Sequence, residues 1–209
     1  MVIEQWEAYV QQVERLFSHG YFYFCSIKYP RDKIGKWPVI DQKLIAKYVA
    51  NQDKDRRYRN KQKGLANYIL VRHEHQCLLL KTDGSEKDVP DPDHWQDVRC
   101  EPYYFQYGTI MLKIRRVNEK VDMRLEKRCY RNIKGNLADI IARKPFPKDY
   151  VVRTFDMLNG LPCSAGIIAQ KIMLQKYMLA EARRNQGRIA SKDLWVNTKR
   201  KIYPINSGM

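Results

Sequence analysis

Two of the four histidines, His73 and His75, stand one residue apart in the run Gly-Leu-Ala-Asn-Tyr-Ile-Leu-Val-Arg-His-Glu-His-Gln-Cys-Leu-Leu-Leu-Lys-Thr-Asp-Gly, residues 64–84. The run reads as one long strand closed by Asp83-Gly84. Alternation then sends Ile69, Val71, His73, His75, Cys77 and Leu79 to one face and Leu70, Arg72, Glu74, Gln76 and Leu78 to the other. Imidazoles that point the same way can hold a divalent ion or contact RNA, and they can equally sit satisfied in a packed face. Immediately upstream, residues 53–63 gather Lys54, Arg56, Arg57, Arg59, Lys61 and Lys63 around Tyr58. Such a block suits phosphate contact, with Tyr58 placed to stack on a base. The plainer reading is a solvated helical face or loop.

A third residue of chemical interest lies further on, where Tyr130 opens a predicted helix with Lys134 one turn beyond. A basic sheet protein with His73-Glu74-His75 and a later helix tyrosine resembles the HUH single-strand endonucleases of plasmid replication, conjugation and certain transposons. The resemblance implies that His73 and His75 bind Mg²⁺ or Mn²⁺, which polarises a scissile phosphate. It further implies that Tyr130, with Lys134 nearby, attacks that phosphate and is joined to the 5′ end. Other chemistries have less behind them. Zinc ligands could be drawn from His73, His75, His94 and Cys100, but their spacing fits no established finger. The acidic stretch with Asp88, Asp91, Asp93 and Asp97 lacks the EF-hand pattern and reads as an exposed loop. Asp122, Glu126 and Lys127 suggest a metal nuclease only faintly, because alternation sends adjacent Glu126 and Lys127 to opposite faces. No Walker loop, Gly-x-Gly-x-x-Gly or Gly-x-Ser-x-Gly occurs.

Charge argues for a partner more firmly than the histidines argue for a reaction. The chain has 39 Lys and Arg against 23 Asp and Glu, a formal charge of +16. Self-repulsion on that scale favours the company of a polyanion, nucleic acid before anionic membrane, since no lipidation signal or sharply basic amphipathic helix is evident. Five dispersed cysteines without a Cys-x-x-Cys pair point to a reduced, cytoplasmic protein. No apolar run approaches the length of a membrane span, and no signal segment opens the chain.

The elements that must position these residues follow from periodicity. Residues 3–17 predict an amphipathic helix, residues 21–29 an aromatic strand ending at Pro30, and Asp41 the cap of a helix to Val49. Tyr103 to Arg116 and Val121 to Arg128 predict two strands with Arg116 facing Val121. That register puts Ile110, Leu112, Ile114, Met123 and Leu125 on one apolar face and sets Arg115 against Asp122. Helices follow over residues 130–141, 151–158 and 164–184, the last with a broad apolar surface suited to the sheet or to another chain. Ser191 can cap a short final helix, completing a helix-turn-helix, or the tail is simply basic and held by Trp195. The expected fold is α+β: a mainly antiparallel sheet of four or five strands, an N-terminal helix and a helical C-terminal third. Residues 1–147 would form the nucleic-acid-binding core and 148–209 a helical region with a basic tail. The expected function is nucleic-acid binding, of DNA or RNA, in a mobile-element, replication or ribonucleoprotein machine. The contacts would come from Lys54, Arg56, Arg57, Tyr58, Arg59, Lys61, Lys63, Arg115, Arg124, Lys199 and Arg200. The alternatives are the Tyr130 nickase and a structural subunit that docks, or self-associates, through residues 164–184.

Overall fold

The structure, a computed structural model, describes residues 1–85, 94–199 and 202–203, and it is α+β. Among these residues the helices are α1 (Trp6–Ser18), α2 (Trp37–Tyr48), α3 (Lys54–Gln62), α4 (Lys127–Ala142), α5 (Lys148–Asp156) and α6 (Ala165–Arg184). The strands are β1 (Tyr23–Lys28), β2 (Tyr68–His73), β3 (Gln76–Lys81), β4 (Gln96–Asp97), β5 (Tyr103–Tyr107), β6 (Ile110–Val117) and β7 (Lys120–Leu125). They make two antiparallel sheets, ordered β2-β3-β1-β4 and β5-β6-β7, where the sequence suggests one. Contacts divide the chain into two units, Met1–Tyr103 with Arg115–Val121, and Tyr104–Ile114 with Asp122–Ile202. The break expected after residue 147 falls within the second of these.

In the first unit the four-stranded sheet is covered on both faces, so β2 is buried along its whole length and β3 at all but its first residue. This is why their sequences are nearly continuous apolar runs instead of alternating ones. On one face α1 lays down Tyr9, Val13 and Phe17, with the Phe17 ring 5.8 Å from Phe24. Tyr9 and Tyr103, both fully enclosed, join their hydroxyls at 3.0 Å. On the other face Tyr29, Tyr48, Tyr68, Leu70, Cys77 and Leu79 pack with Trp37, Leu44 and Ile45 from α2.

Residues 64–84 form a hairpin, not a single strand. His73 pairs directly with Gln76, leaving Glu74 and His75 as a two-residue turn with Glu74 at φ +47°. The turn resets the alternation: Ile69 pairs with Leu80 and Leu70 with Leu79, so odd residues of β2 share a face with even residues of β3. His73 therefore sits on the α1 side, its ring 5.8 Å from Tyr9, whereas Cys77 and Leu79 lie on the α2 side. Arg72 holds the turn by donating from Nη1 to the Glu74 carbonyl at 2.8 Å. Asp41 is not a cap. α2 begins at Trp37 with Pro38 in its first turn, where proline's fixed φ and missing N–H are harmless, and Asp41 is buried inside the helix.

The second sheet corrects another expectation, since Tyr103 to Arg116 is two strands interrupted at Gly108, φ +54°. The expected β6–β7 register has direct support. Asn118 and Glu119, at φ 47° and 63°, form a two-residue turn of the kind that suits strand twist, and the Glu126 N–H reaches the Met111 carbonyl at 2.8 Å. Leu112, Ile114, Met123 and Leu125 are buried together on one face.

In the second unit α6 closes on β7. Gln170 uses its carboxamide as a strand would, accepting from the Leu125 N–H at 2.8 Å and donating to the Leu125 carbonyl at 3.1 Å. Ser164 caps α6 and donates to the Met123 carbonyl at 2.8 Å. Ile167, Leu174 and Met178 are buried, while Ile172 and Met173 remain on the exposed side of the same helix. The tail does not complete a helix-turn-helix, because Ser191–Leu194 is one 3₁₀ turn, too short for a recognition helix. Leu194 is its buried anchor, and Trp195 is 55% exposed.

A Cβ at position 166 would stand 2.5 Å from the Met123 carbonyl oxygen, so Gly166→Ala must push α6 away from β7. Urea denaturation should show a loss of about 1–3 kcal/mol, the usual result of overpacking. Lys171 is fully buried, donating from Nζ to the Leu161 carbonyl at 3.3 Å, and burial pulls its ammonium below the usual lysine range against an opposing effect of Cys163. Between the lowered native value and the ordinary one, the unfolded chain holds more protons, so this residue makes stability rise with pH across that window. Lys171→Met should remove that rise, and the variant's advantage at pH 7, measured against wild type in urea, should shrink toward pH 10.

Candidate nucleic-acid interface

The basic block is helix α3. Asp53 caps it, accepting from the Arg56 N–H at 2.7 Å, and this bond is the main reason the Asp53 carboxyl lies below the usual carboxylate range. None of its residues is buried, so apolar packing does not fix the helix in place. Amides do. Asn67, at the entry to β2, donates from Nδ2 to the Arg57 carbonyl at 3.0 Å and receives Nδ2 of Asn60 on Oδ1 at 3.0 Å. Its own backbone N–H donates to Thr82 Oγ1 at 2.9 Å, and the Thr82 N–H returns to the Asn67 carbonyl at 3.0 Å. At the other end, Gly84 at φ +138° lets the chain pass so close to Ala66 that a Cβ would meet its nitrogen at 2.5 Å.

Docked in this way, α3 turns Lys54, Arg57, Tyr58 and Lys61 toward a cleft of about 480 Å³. Those positions are spaced i, i+3, i+4, i+7, one helical face. Across the cleft α1 presents the same spacing in Gln12, Arg15, Leu16 and His19, and Tyr21, Asn67, Ile69 and Thr82 also line it. Among the described residues its lining contains no acid. A second cleft of about 440 Å³ continues it, sharing His19, Lys61, Asn67 and Thr82. Asp83 lies on that extension, with Arg99 at 3.2 Å. The Arg57 guanidinium beside the Tyr21 hydroxyl opposes the upward push of burial on that phenol. Tyr58 is 63% exposed, a ring at the rim rather than part of the core. Cations around an apolar and amide-lined groove form an anion site with stacking surface.

Of the expected contacts, the groove unites Lys54, Arg57, Tyr58 and Lys61. Arg56 faces a separate hollow of about 110 Å³ with Asn60 and Tyr48, and Arg59 and Lys63 are exposed. Arg115 is exposed on β6, within the first unit. In the second unit Lys199 is exposed and Arg124 donates from Nε to Asp122 at 2.7 Å, along its own strand. Arg200 lies outside the described residues, as do Asp88, Asp91 and Asp93. Glu126 caps α4, accepting from the N–H groups of Arg128 and Cys129.

His73 is buried with Nδ1 3.0 Å from the Ile3 carbonyl, while His75 sits in the turn with Nε2 3.2 Å from Arg31. Burial, then Arg31 and Lys28, holds the His75 imidazolium below the usual histidine range against Glu74, so His75 is neutral at pH 7. The two do not share a strand face. No three His, Cys, Asp or Glu side chains among the described residues are grouped to hold a metal ion. Tyr130 and Lys134 lie on α4 in the second unit, Tyr130 with its phenol raised by burial and Lys134 with Nζ 4.0 Å above the Tyr177 ring. No helix of the described residues is long and apolar enough to cross a membrane.

Sequence reasoning missed the contribution of α1, whose Gln12, Arg15 and His19 recur at helical spacing along the edge of its apolar stripe. No protein-family model, curated protein or solved structure matches the chain.

Because Asn67 ties α3, through the Arg57 carbonyl and Asn60, to Thr82, Asn67→Ala should loosen α3 while the sheet stays folded. The loss should be about 1–3 kcal/mol, the usual result of leaving buried partners unsatisfied. Hydrogen exchange should accelerate in residues 54–62 more than in β2 and β3, and equal acceleration in both would contradict this attachment.

Proposed function

We propose that the protein binds nucleic acid, and that the groove between α1 and α3 is where it does so. The observation that carries this reading is the convergence of two helical faces: Arg15 and His19 from one, Lys54, Arg57 and Lys61 from the other, around a lining in which no described residue is an acid. Phosphates would take the cationic rim and Tyr58 would stack on a base. The formal charge of +16 supports the same reading, since the groove is one part of a broadly basic surface that would draw a polyanion in from a distance. A replication, mobile-element or ribonucleoprotein setting would supply such a partner.

The test is equilibrium binding to labelled single-stranded DNA, duplex DNA and RNA across a salt series. Affinity should fall steeply with salt. In the triple variant Lys54→Gln, Arg57→Gln, Lys61→Gln the slope of log K against log salt should become shallower by about 2, the value expected for three lost single-strand phosphate contacts. A wild-type slope in the triple variant would refute the placement of the site, and salt-indifferent binding by wild type would refute the function.

A further inference from the structure

The walls of the groove differ from its rim. Cations stand at the mouth, whereas Leu16 and Ile69 are apolar and Asn67 and Thr82 are already engaged with each other and with α3. Gln12 stands apart. It is 7% exposed, lines the groove, and its Oε1 is buried with no hydrogen-bond partner among the described residues. A buried amide oxygen left in this state is costly, and a shift of the side chain that opens it to a donor in the groove recovers the loss. A half-turn about the last side-chain torsion exchanges the amide's oxygen and nitrogen, so Gln12 can present either an acceptor or a donor to the groove. A space of about 480 Å³ falls within the range of sites that enclose small ligands.

We infer that the groove takes one unstacked base of a single-stranded nucleic acid, with the base edge on Gln12, the base plane against Tyr58 and the flanking phosphates on Arg15, Arg57 and Lys61. This rests on the proposed nucleic-acid function and narrows it. Paired bases offer their edges to each other inside a duplex, and only an unpaired or extruded base can enter a pocket edge-first. A carboxamide matches the adjacent donor and acceptor of a base edge, the pairing by which Gln and Asn read adenine.

The experiment compares three probes of equal length and phosphate count: a dA single strand, a single strand of the same backbone with every base removed, and the duplex of the first. Each is measured against wild type and Gln12→Leu. Wild type should bind the dA strand at least about 5-fold more tightly than the abasic strand, the least that stacking of one base contributes. It should also prefer the dA strand to the duplex. Gln12→Leu should lose about 10-fold for the dA strand and stay within about twofold for the abasic one. Because the substitution deletes a buried unsatisfied oxygen, the variant should unfold at the same or a higher urea concentration, which separates lost recognition from lost folding. Equal wild-type binding of abasic and dA strands, or an unchanged preference in Gln12→Leu, would overturn the base pocket and leave backbone binding intact. Failure of wild type to bind any probe in a salt-dependent way would instead overturn the nucleic-acid function itself.

Discussion

The first unit depends on one buried ion pair. Arg72 of β2 donates from Nε to both oxygens of Asp41 at 3.0 and 2.9 Å, and Tyr29 adds its hydroxyl to the same carboxylate at 2.8 Å. The guanidinium also faces the Trp37 ring at 5.4 Å and the Tyr29 ring at 5.8 Å. Charges so far from water are tolerated only when their hydrogen-bonding capacity is met, and here four elements meet it: α2, the end of β1, the strand β2 and the turn after it. The backbone of Arg72 is used as well, since its carbonyl accepts the Ile3 N–H at 2.8 Å and so fixes the chain leading into α1. The helix that forms one wall of the groove is thereby aligned by a residue on the far face of the sheet. Removing either charge would strand the other, a loss of about 3–5 kcal/mol in comparable sites.

The opposite wall obeys a different rule. α3 has almost no apolar surface to bury, and its five Lys and Arg residues repel one another. Packing against the core would have required apolar side chains on the face that now carries Lys54, Arg57 and Lys61. Attachment through the Arg57 carbonyl and the Asn60 amide leaves that face to Lys54, Arg57, Tyr58 and Lys61. Directional bonds also fix the register of the helix, which sets where its charges project. A recognition surface built on polar anchors can therefore be both rigid and strongly basic, a combination that hydrophobic docking would not allow.

Much of the fold is legible because its signals are periodic. The stripe of α1, the Ser164 cap of α6 and the β6–β7 register all follow from spacing and local chemistry, and all are present. The hairpin at Glu74 was not legible, because neither residue of the turn is a turn former. It is imposed by the pairing of His73 with Gln76 and by the Arg72 bond to Glu74, both tertiary facts. Asp41 misled for a related reason: a residue type favoured at caps was taken into the core by a partner 31 residues away. The basic block could be read as an anion surface, but its division between the groove, the Arg56 hollow and open solvent depends on which way Asn60 and Asn67 turn the helix. Gln12 was hidden among apolar neighbours, where a single amide looks like a tolerated exception.

The groove's composition bears on what sort of anion it would hold. A site for bulk phosphate or a membrane surface needs only exposed charge, and Arg59 or Lys63 would serve as well as Lys61. This groove has more than charge. Half of the eight positions that the two helices turn to it are Lys or Arg, and the rest include Gln12, Leu16 and Tyr58, side chains suited to a flat, partly apolar ring with a hydrogen-bonding edge. The amide pays a desolvation penalty that no fold requirement explains, since leucine at the same position would pack in the apolar stripe of α1 without it. Retaining an unsatisfied polar atom at the back of a basic cleft makes physical sense when its partner arrives with the ligand. The same logic assigns the rim and the interior different tasks: the rim would set affinity and its salt dependence, and the interior would decide which strands can be seated.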